Sequence, residues 1–450
     1  MNQSERPSLA RSLGTTEATT IIIGGVIGSG IFLAPSLVAN NVGSPGWSLA
    51  VWAVAGILAT AGGLCYAEFA AAVPESGGTY QFLKRAYGSP LLAFLAGWMF
   101  FFVDGPGSLA AVATAFATYA GVFLHTGPVG TKLVAAAVLV ALVFVNVLGV
   151  RTGGWVQNVL TSLKVLALAA IVILPLASGQ GSWSHFTAAG TAPVGGRLAA
   201  VGAAIIPASF AYSGWTFTSY VGGEFRDPGR VIPRGIILGM AAVIVIYLAV
   251  NVAYQYVLPF DRLAGSTVVA SDAMAVVLGS RAGHFVAAAV MLSTLGALNA
   301  AVLAFPRMGY ALAKDGLFFR GLERVHPRFQ TPAAAIVIQG LLACAFIASG
   351  SYERILGYFG FTDFLAYGLV VLGVMVLRRK EPGLARPYRV FGYPATPILF
   401  LTLCIAYLGT VLAGRTTESL IGVALTLTGI PFYLWWRRGA VGREGGRAAG

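Results

Sequence analysis

The sequence predicts an all-α integral membrane protein with twelve transmembrane helices, and four observations carry that fold class. The chain of 450 residues is 57% hydrophobic and only 10% charged, where a soluble domain carries roughly 25% charged residues. Its mean hydropathy is +0.80. Its apolar residues gather in runs of about twenty, the length that crosses a bilayer. Its basic residues fall mostly in every second loop, as the positive-inside rule requires of a multi-pass chain.

Taken in order, the runs place spans at 18–40, 47–72, 91–124, 131–149, 156–178, 198–221, 235–257, 284–312, 333–350, 355–377, 395–413 and 419–436. Several contain Gly or Pro, which membrane helices tolerate where neighbours satisfy the freed backbone. An even number of spans puts both termini on one side. Of the 29 Lys and Arg residues, 21 fall on that side and 6 on the other, with Lys164 and Arg307 inside spans. The bias predicts cell-membrane insertion with cytoplasmic tails at 1–17 and 437–450. The polar start leads into a full-length span rather than a short cleavable h-region. The segment 73–90 is polar with interleaved aromatics, as for an amphipathic surface helix. The connection 258–283 has room for one or two short helices.

Composition also excludes functions. The net charge of +13 sits in short loops, so it reads as topology rather than nucleic-acid binding. Cys65, Cys344 and Cys404 lie in apolar runs without metal-ligand spacing, as small core residues. The four histidines are scattered, and no metal or cofactor is expected. No GxxxxGK[ST] occurs, so this chain does not drive transport with ATP, and "GGVIGSG" lacks the strand and βαβ unit of a nucleotide loop. A channel would call for a pore-lining filter. An intramembrane enzyme would need an acid pair or a nucleophile with its base at membrane depth, and none is convincing.

The first span reads "IIIGGVIGSGIFLAPS" (Ile21–Ser36), with Gly24, Gly25, Gly28, Ser29 and Gly30 close together. Glycine costs a helix interior about 1 kcal/mol relative to Ala. One reading is a small-residue stripe for close helix packing. The other is a break that frees amides at one half-helix end and carbonyls at the other, an anion site beside a cation site. The sixth span, "IIPASFAYSGWTFTSYVGGE" (Ile205–Glu224), is also interrupted, at Pro207 and Ser213–Gly214. Breaks in corresponding spans of two halves point to a solute site at an inverted-repeat interface. The offset of five spans turns the second half upside-down relative to the first.

The chain resembles the amino acid–polyamine–organocation (APC) superfamily, and within it the L-type amino acid transporter-like branch. The resemblance covers nearly the whole chain. It rests on "GGVIGSGIFLAP" (24–35), "YAEFAAAVPESGGTYQF" (66–82), "FAYSGW" (210–215) and "GEFRDPGRVIPRGI" (223–236). It continues in "LGALNAAVLAFPRMGYALAKDG" (295–316), "VHPRFQTPAAA" (325–335) and "RPYRVFGYPATP" (386–397). It implies a LeuT-type fold with inverted repeats at 18–178 and 198–377, broken helices 1 and 6, and two additional helices at 395–436. It implies that the amides of Ser29 and Gly30 hold a substrate carboxylate. The carbonyls of Val26, Phe210 and Ser213 would take the ammonium, with Phe210 as an aromatic gate. Ile27, Gly28, Ala211 and Trp215 complete the two stretches.

Lys164 lies among apolar residues of the fifth span. It reads either as a snorkelling lysine or as an intramembrane functional group. In sodium-independent relatives a lysine at the matching place occupies a sodium position, so the resemblance implies sodium independence, with proton coupling open. Asp104 in the third span is functional by default. It could contact a cationic substrate, pair with Lys164 or Arg307, or cap the helix restarting near Pro106. Glu68, Glu224 and Arg307 read as gating or structural ion pairs, and Asn299 as a bridge between helices. Tyr358, Phe359 and Phe361 are expected near the pocket, and Ser213 where small residues leave room. The expected activity is a secondary carrier for neutral L-amino acids, an exchanger or proton-linked, with cationic amino acids or polyamines as the alternative through Asp104. Some relatives are disulfide-linked to a heavy subunit through the loop between spans three and four. Here that loop, "HTGPVGT" (125–131), has no cysteine, which implies no such partner.

Overall fold

The first apolar run folds as two helices. In the computed structural model, which describes residues 9–187, 196–350, 352–414 and 416–448, α1 (Thr15–Val26) and α2 (Gly30–Val42) meet at a 51° bend. Side chains of 352–360, 414 and 439–448 lie outside that description. α3 (Pro45–Ala72) and the short α4 (Thr79–Tyr87) follow. α5 (Pro90–Met99) passes through a π-helical turn at Phe100–Asp104 into α6 (Gly105–Leu124). Pro106 has no N–H to return to the carbonyl four residues earlier, so the ladder widens just before it.

Next come α7 (Pro128–Val147), α8 (Val150–Ala177), α9 (Arg197–Ala211), α10 (Phe217–Tyr220) and α11 (Pro228–Val257). The outer connection holds α12 (Phe260–Gly265) and α13 (Val269–Leu278), two short helices as expected. α14 (Ala282–Ala304), α15 (Pro306–Lys314), α16 (Ala333–Ser349), α17 (Tyr352–Lys380), α18 (Ala395–Gly414), α19 (Thr416–Leu427) and α20 (Gly429–Ala448) complete the chain. Prolines open α3, α5, α7, α11 and α15, where a missing N–H costs nothing.

Among the described residues, nine helices are long and apolar enough to cross a membrane, ten when α1 and α2 count as one span. α9 and α16 are apolar but shorter, at 15 and 17 residues. α9 falls short because its run is interrupted after Ala211 and resumes only as α10. The protein is therefore an all-α, multi-pass membrane protein.

α1 and α14 lie at the centre. The apolar window around α14 is 78% buried, that of α7 only 17%. α14 packs on α6, α8 and α1, and α11 on α3 and α1. The α1–α11 contact is close because a Cβ on Gly235 or Gly239 would lie 2.5 Å from Ala18 or 2.6 Å from Ile22, which is small-residue packing.

Three segments differ from expectation. The described part of the 1–17 tail is docked: Leu13 forms a parallel bridge with Phe225, and α1 begins at Thr15. The 437–450 tail is helical through Ala448, within α20. α4 is wedged against α5, α15 and α17 with Tyr80, Phe82, Leu83 and Ala86 buried, because its aromatics find partners such as Tyr66 and Phe69 inside the bundle.

Candidate functional site

The two interrupted helices meet at their breaks. A Cβ on Gly30 would stand 2.9 Å from Ala211 Cα, and one on Gly214 would stand 2.6 Å from the Gly25 carbonyl oxygen. Gly214 has φ +113°, open to glycine but strained for other residues. A Cβ on Gly24 would fall 1.8 Å from Gln157 Nε2, and one on Gly25 2.7 Å from the Phe217 ring. Close packing thus explains Gly24, Gly25, Gly30 and Gly214. Gly28 is different: a Cβ there meets nothing within 4 Å. The packing reading and the break reading both hold, on different glycines.

The carbonyl end of α1 is held from three helices. Lys164 Nζ on α8 donates to the Gly24 oxygen at 2.8 Å and to the Ile27 oxygen. Ser293 Oγ on α14 donates to the Ile27 and Gly28 oxygens at 3.1 and 2.8 Å. Tyr247 Oη on α11 donates to Val26 at 3.1 Å and to Ala211 at 2.9 Å, tying both breaks together. Lys164 is fully buried with its ammonium on backbone oxygens, so it does not snorkel. Asn299 bridges helices as expected, donating to the Gly153 and Gln157 oxygens and accepting from Asn146.

The other end of the break is open. α2 starts at Gly30; the Phe32 amide donates to the Ser29 oxygen at 3.1 Å, which leaves the Gly30 and Ile31 amides as the unmatched N-terminal donors, and Gly28, Ser29 and Gly30 are half-buried. Phe210 is 58% exposed at the end of α9, with Ser213 half-buried beside it. The Phe210 oxygen accepts from Ser213 Oγ at 2.7 Å. Trp215 is only 3% exposed and packs on Tyr66, Tyr367 and Phe400, behind the break rather than on its open wall. Ala211 is likewise buried, beneath Gly30. Phe361 is half-buried, and the side chains of Tyr358 and Phe359 lie outside the described part.

The side of the bundle where α1 begins is closed by polar contacts. Ser12 and Leu13 amides donate to the Glu224 oxygen at 3.0 and 3.1 Å, and Arg226 N–H returns to Leu13. Below them Arg307 grips Glu224 through Nε and Nη2 at 2.7 and 3.1 Å, with both side chains fully buried. Asp315 accepts from Tyr80 and Lys84 at 2.6 Å. Burial and that carboxylate push the Tyr80 phenol well above its usual range, which keeps it a donor. Glu68 is bound by Arg378 at 2.8 and 2.6 Å and by the Val390 amide.

Asp104 stands apart from all of these. It N-caps α6 without a side-chain cap bond, and the basic groups considered for it are taken by backbone carbonyls and by Glu224. Its carboxyl instead meets that of Asp363 on α17. Phe100, Tyr220, Phe305 and Phe217 form a chain of ring contacts between this pair and the α1 break.

Sequence reasoning missed Tyr247, Ser293 and Asp363. Asp363 was findable, since an acid inside a span is a signal by itself. The two hydroxyls were not, because nothing local separates a hydroxyl that donates to a distant break from one that bonds within its own helix.

The amino acid permease family profile matches residues 13–431. The chain belongs to this family. It is therefore a secondary amino acid transporter of the APC superfamily and not an enzyme. Among similar proteins, the human b(0,+)-type amino acid transporter 1 is 34% identical over 447 residues, covering 96% of this chain and 89% of the relative. The mouse large neutral amino acids transporter small subunit 2 is 33% identical over 444 residues, covering 96% and 82%. The serine/threonine exchanger SteT of Bacillus subtilis is 31% identical over 433 residues, covering 96% and 98%.

Proposed function

We propose that this transporter is a sodium-independent amino acid carrier working by alternating access between two inverted repeats, 18–178 and 198–377, of a twelve-span LeuT-type bundle. The observation that carries the reading is the junction of the two breaks. The open Gly30 and Ile31 amides at the start of α2 suit a carboxylate, and the unwound backbone after α9, which meets α1 where Gly214 approaches Gly25, suits an ammonium. Lys164 supplies, from inside the protein, the positive charge that a sodium ion would otherwise bring to the α1 carbonyls. The closed terminus side and the exposed Phe210 together correspond to a state open away from the chain ends. The charge bias makes the closed side cytoplasmic.

Backbone recognition of the zwitterion leaves the side chain to be read by the rest of the pocket. Neutral L-amino acids are the reading expected from the sequence, in line with relatives named for large neutral amino acids and for serine/threonine. Cationic amino acids are the second reading and the better supported one, through the relatives designated b(0,+), a name with both a zero and a plus. Asp104 contributes little to that second reading, because aromatic rings separate it from the breaks.

Counterflow in sodium-free proteoliposomes tests both. Vesicles preloaded with one amino acid each, or with a polyamine, are compared with empty vesicles for uptake of one labelled amino acid. Uptake driven only by particular internal amino acids supports exchange and ranks neutral against cationic substrates. Uptake that requires sodium refutes the role given to Lys164.

A further inference from the structure

Away from the breaks, a cavity of about 230 Å³ lies between α4, α5, α17 and α19, with the Asp104–Asp363 pair in its wall. We propose that this cavity is a binding site for a protonated amine with an apolar body, separate from the amino acid site.

Three features point to that chemistry. Asp104 is only 4% exposed, and its Oδ1 has no hydrogen-bond partner among the described residues. A buried carboxylate oxygen without a donor is costly, and an ammonium supplies donors and charge together. Two carboxyl groups in contact in a low dielectric cannot both ionise, so the pair carries at most one negative charge, which a bound cation would stabilise. The described lining contains no Lys, Arg or His to do this from within.

Most of the rest of the wall is apolar, Leu83, Leu95, Met99, Met308, Leu369 and Leu427 among others, with Thr79, Thr362 and Thr426 also lining it. A metal ion would need more oxygen ligands, and no group of three His, Cys, Asp or Glu residues is found among the described residues. Phe100, Tyr220 and Tyr367 add ring faces that attract a cation. An engineered apolar cavity of about 150 Å³ holds benzene, so this one has room for a ring and a short amine arm. Leu365 and Leu427 at its edge are exposed on the bundle surface, so an apolar amine dissolved in the bilayer meets the cavity from the side.

The test uses the purified full chain in lipid nanodiscs, with 2-phenylethylamine and its neutral analogue 2-phenylethanol as probes. The amine is expected to raise the unfolding midpoint in a saturable way, and the alcohol not to. Asp104→Asn and Asp363→Asn should each weaken the amine at least tenfold. Leu427→Trp, which adds bulk at the cavity edge and leaves both acids in place, should do the same and guards against misfolding of the Asp variants. An excess of the best-exchanging amino acid should leave the amine's affinity unchanged. Equal effects of amine and alcohol, full binding by the Asn variants, or competition by the amino acid would each overturn the proposal. The readout does not depend on transport, so a failure here is distinct from a failure of the carrier reading.

Discussion

Gly24 and Gly28 are four residues apart in one sequence motif, and the structure predicts opposite responses to the same substitution. In Gly24→Ala the new methyl would lie 1.8 Å from Gln157 Nε2 and 2.8 Å from Thr161 Oγ1. Gln157 cannot step aside freely, because Nε2 donates to the Thr20 oxygen and Thr161 while Oε1 accepts from Asn299. Overpacking of this kind costs about 1–3 kcal/mol, and a broken buried hydrogen bond adds roughly 1 kcal/mol. Gly24→Ala should therefore lose stability in denaturant or thermal unfolding of the purified protein. In Gly28→Ala the methyl meets nothing within 4 Å, and its backbone is not in the left-handed region. Stability should hold or rise by about 0.4–1 kcal/mol, through the less flexible unfolded chain. The methyl instead projects into the open space beside Gly28, next to the amides at the start of α2. The expected result is a KM for counterflow raised at least tenfold, equivalent to about 1.4 kcal/mol. Wild-type KM in a well-folded Gly28→Ala protein would show that the substrate does not lie against Gly28. Unchanged stability of Gly24→Ala would refute the packing argument.

Other substitutions separate support from contact. Tyr247→Phe removes the donor shared by the Val26 and Ala211 carbonyls; a loss of about 1 kcal/mol in stability should come with a higher KM, measured in the same proteoliposomes. Lys164→Ala leaves the Gly24 and Ile27 carbonyls short of their donor, so stability should fall by about 1–3 kcal/mol while sodium leaves the unfolding of the wild-type protein unchanged. Arg307→Ala strands a fully buried Glu224 and should cost about 3–5 kcal/mol, whereas pairing Arg307→Met with Glu224→Gln should cost much less. Equal losses in the single and double variants would contradict the view of this pair as mutually dependent.

Span lengths, the apolar character and the loop charge bias were legible in the sequence because they depend only on composition along the chain. The breaks were legible for the same reason, because glycine weakens a helix wherever it stands, but Pro207 did not mark one: α9 runs through it to Ala211, and the interruption falls at Ser213–Gly214. Membership in a transporter superfamily followed from motif order. Which glycine packs and which lies open was decided only by tertiary structure, because Gly24 and Gly28 differ in nothing but what a neighbouring helix brings near them. The fate of the charges was decided there too. Sequence marked Lys164, Arg307, Glu224 and Asp104 as costly inside a membrane, but hydrogen bonds between helices more than a hundred residues apart chose the partners of Lys164. The same long-range packing joined Arg307 to Glu224. It left Asp104 facing a second acid, because α5, α6 and α17 bring those two positions together and no basic side chain among the described residues lines their cavity.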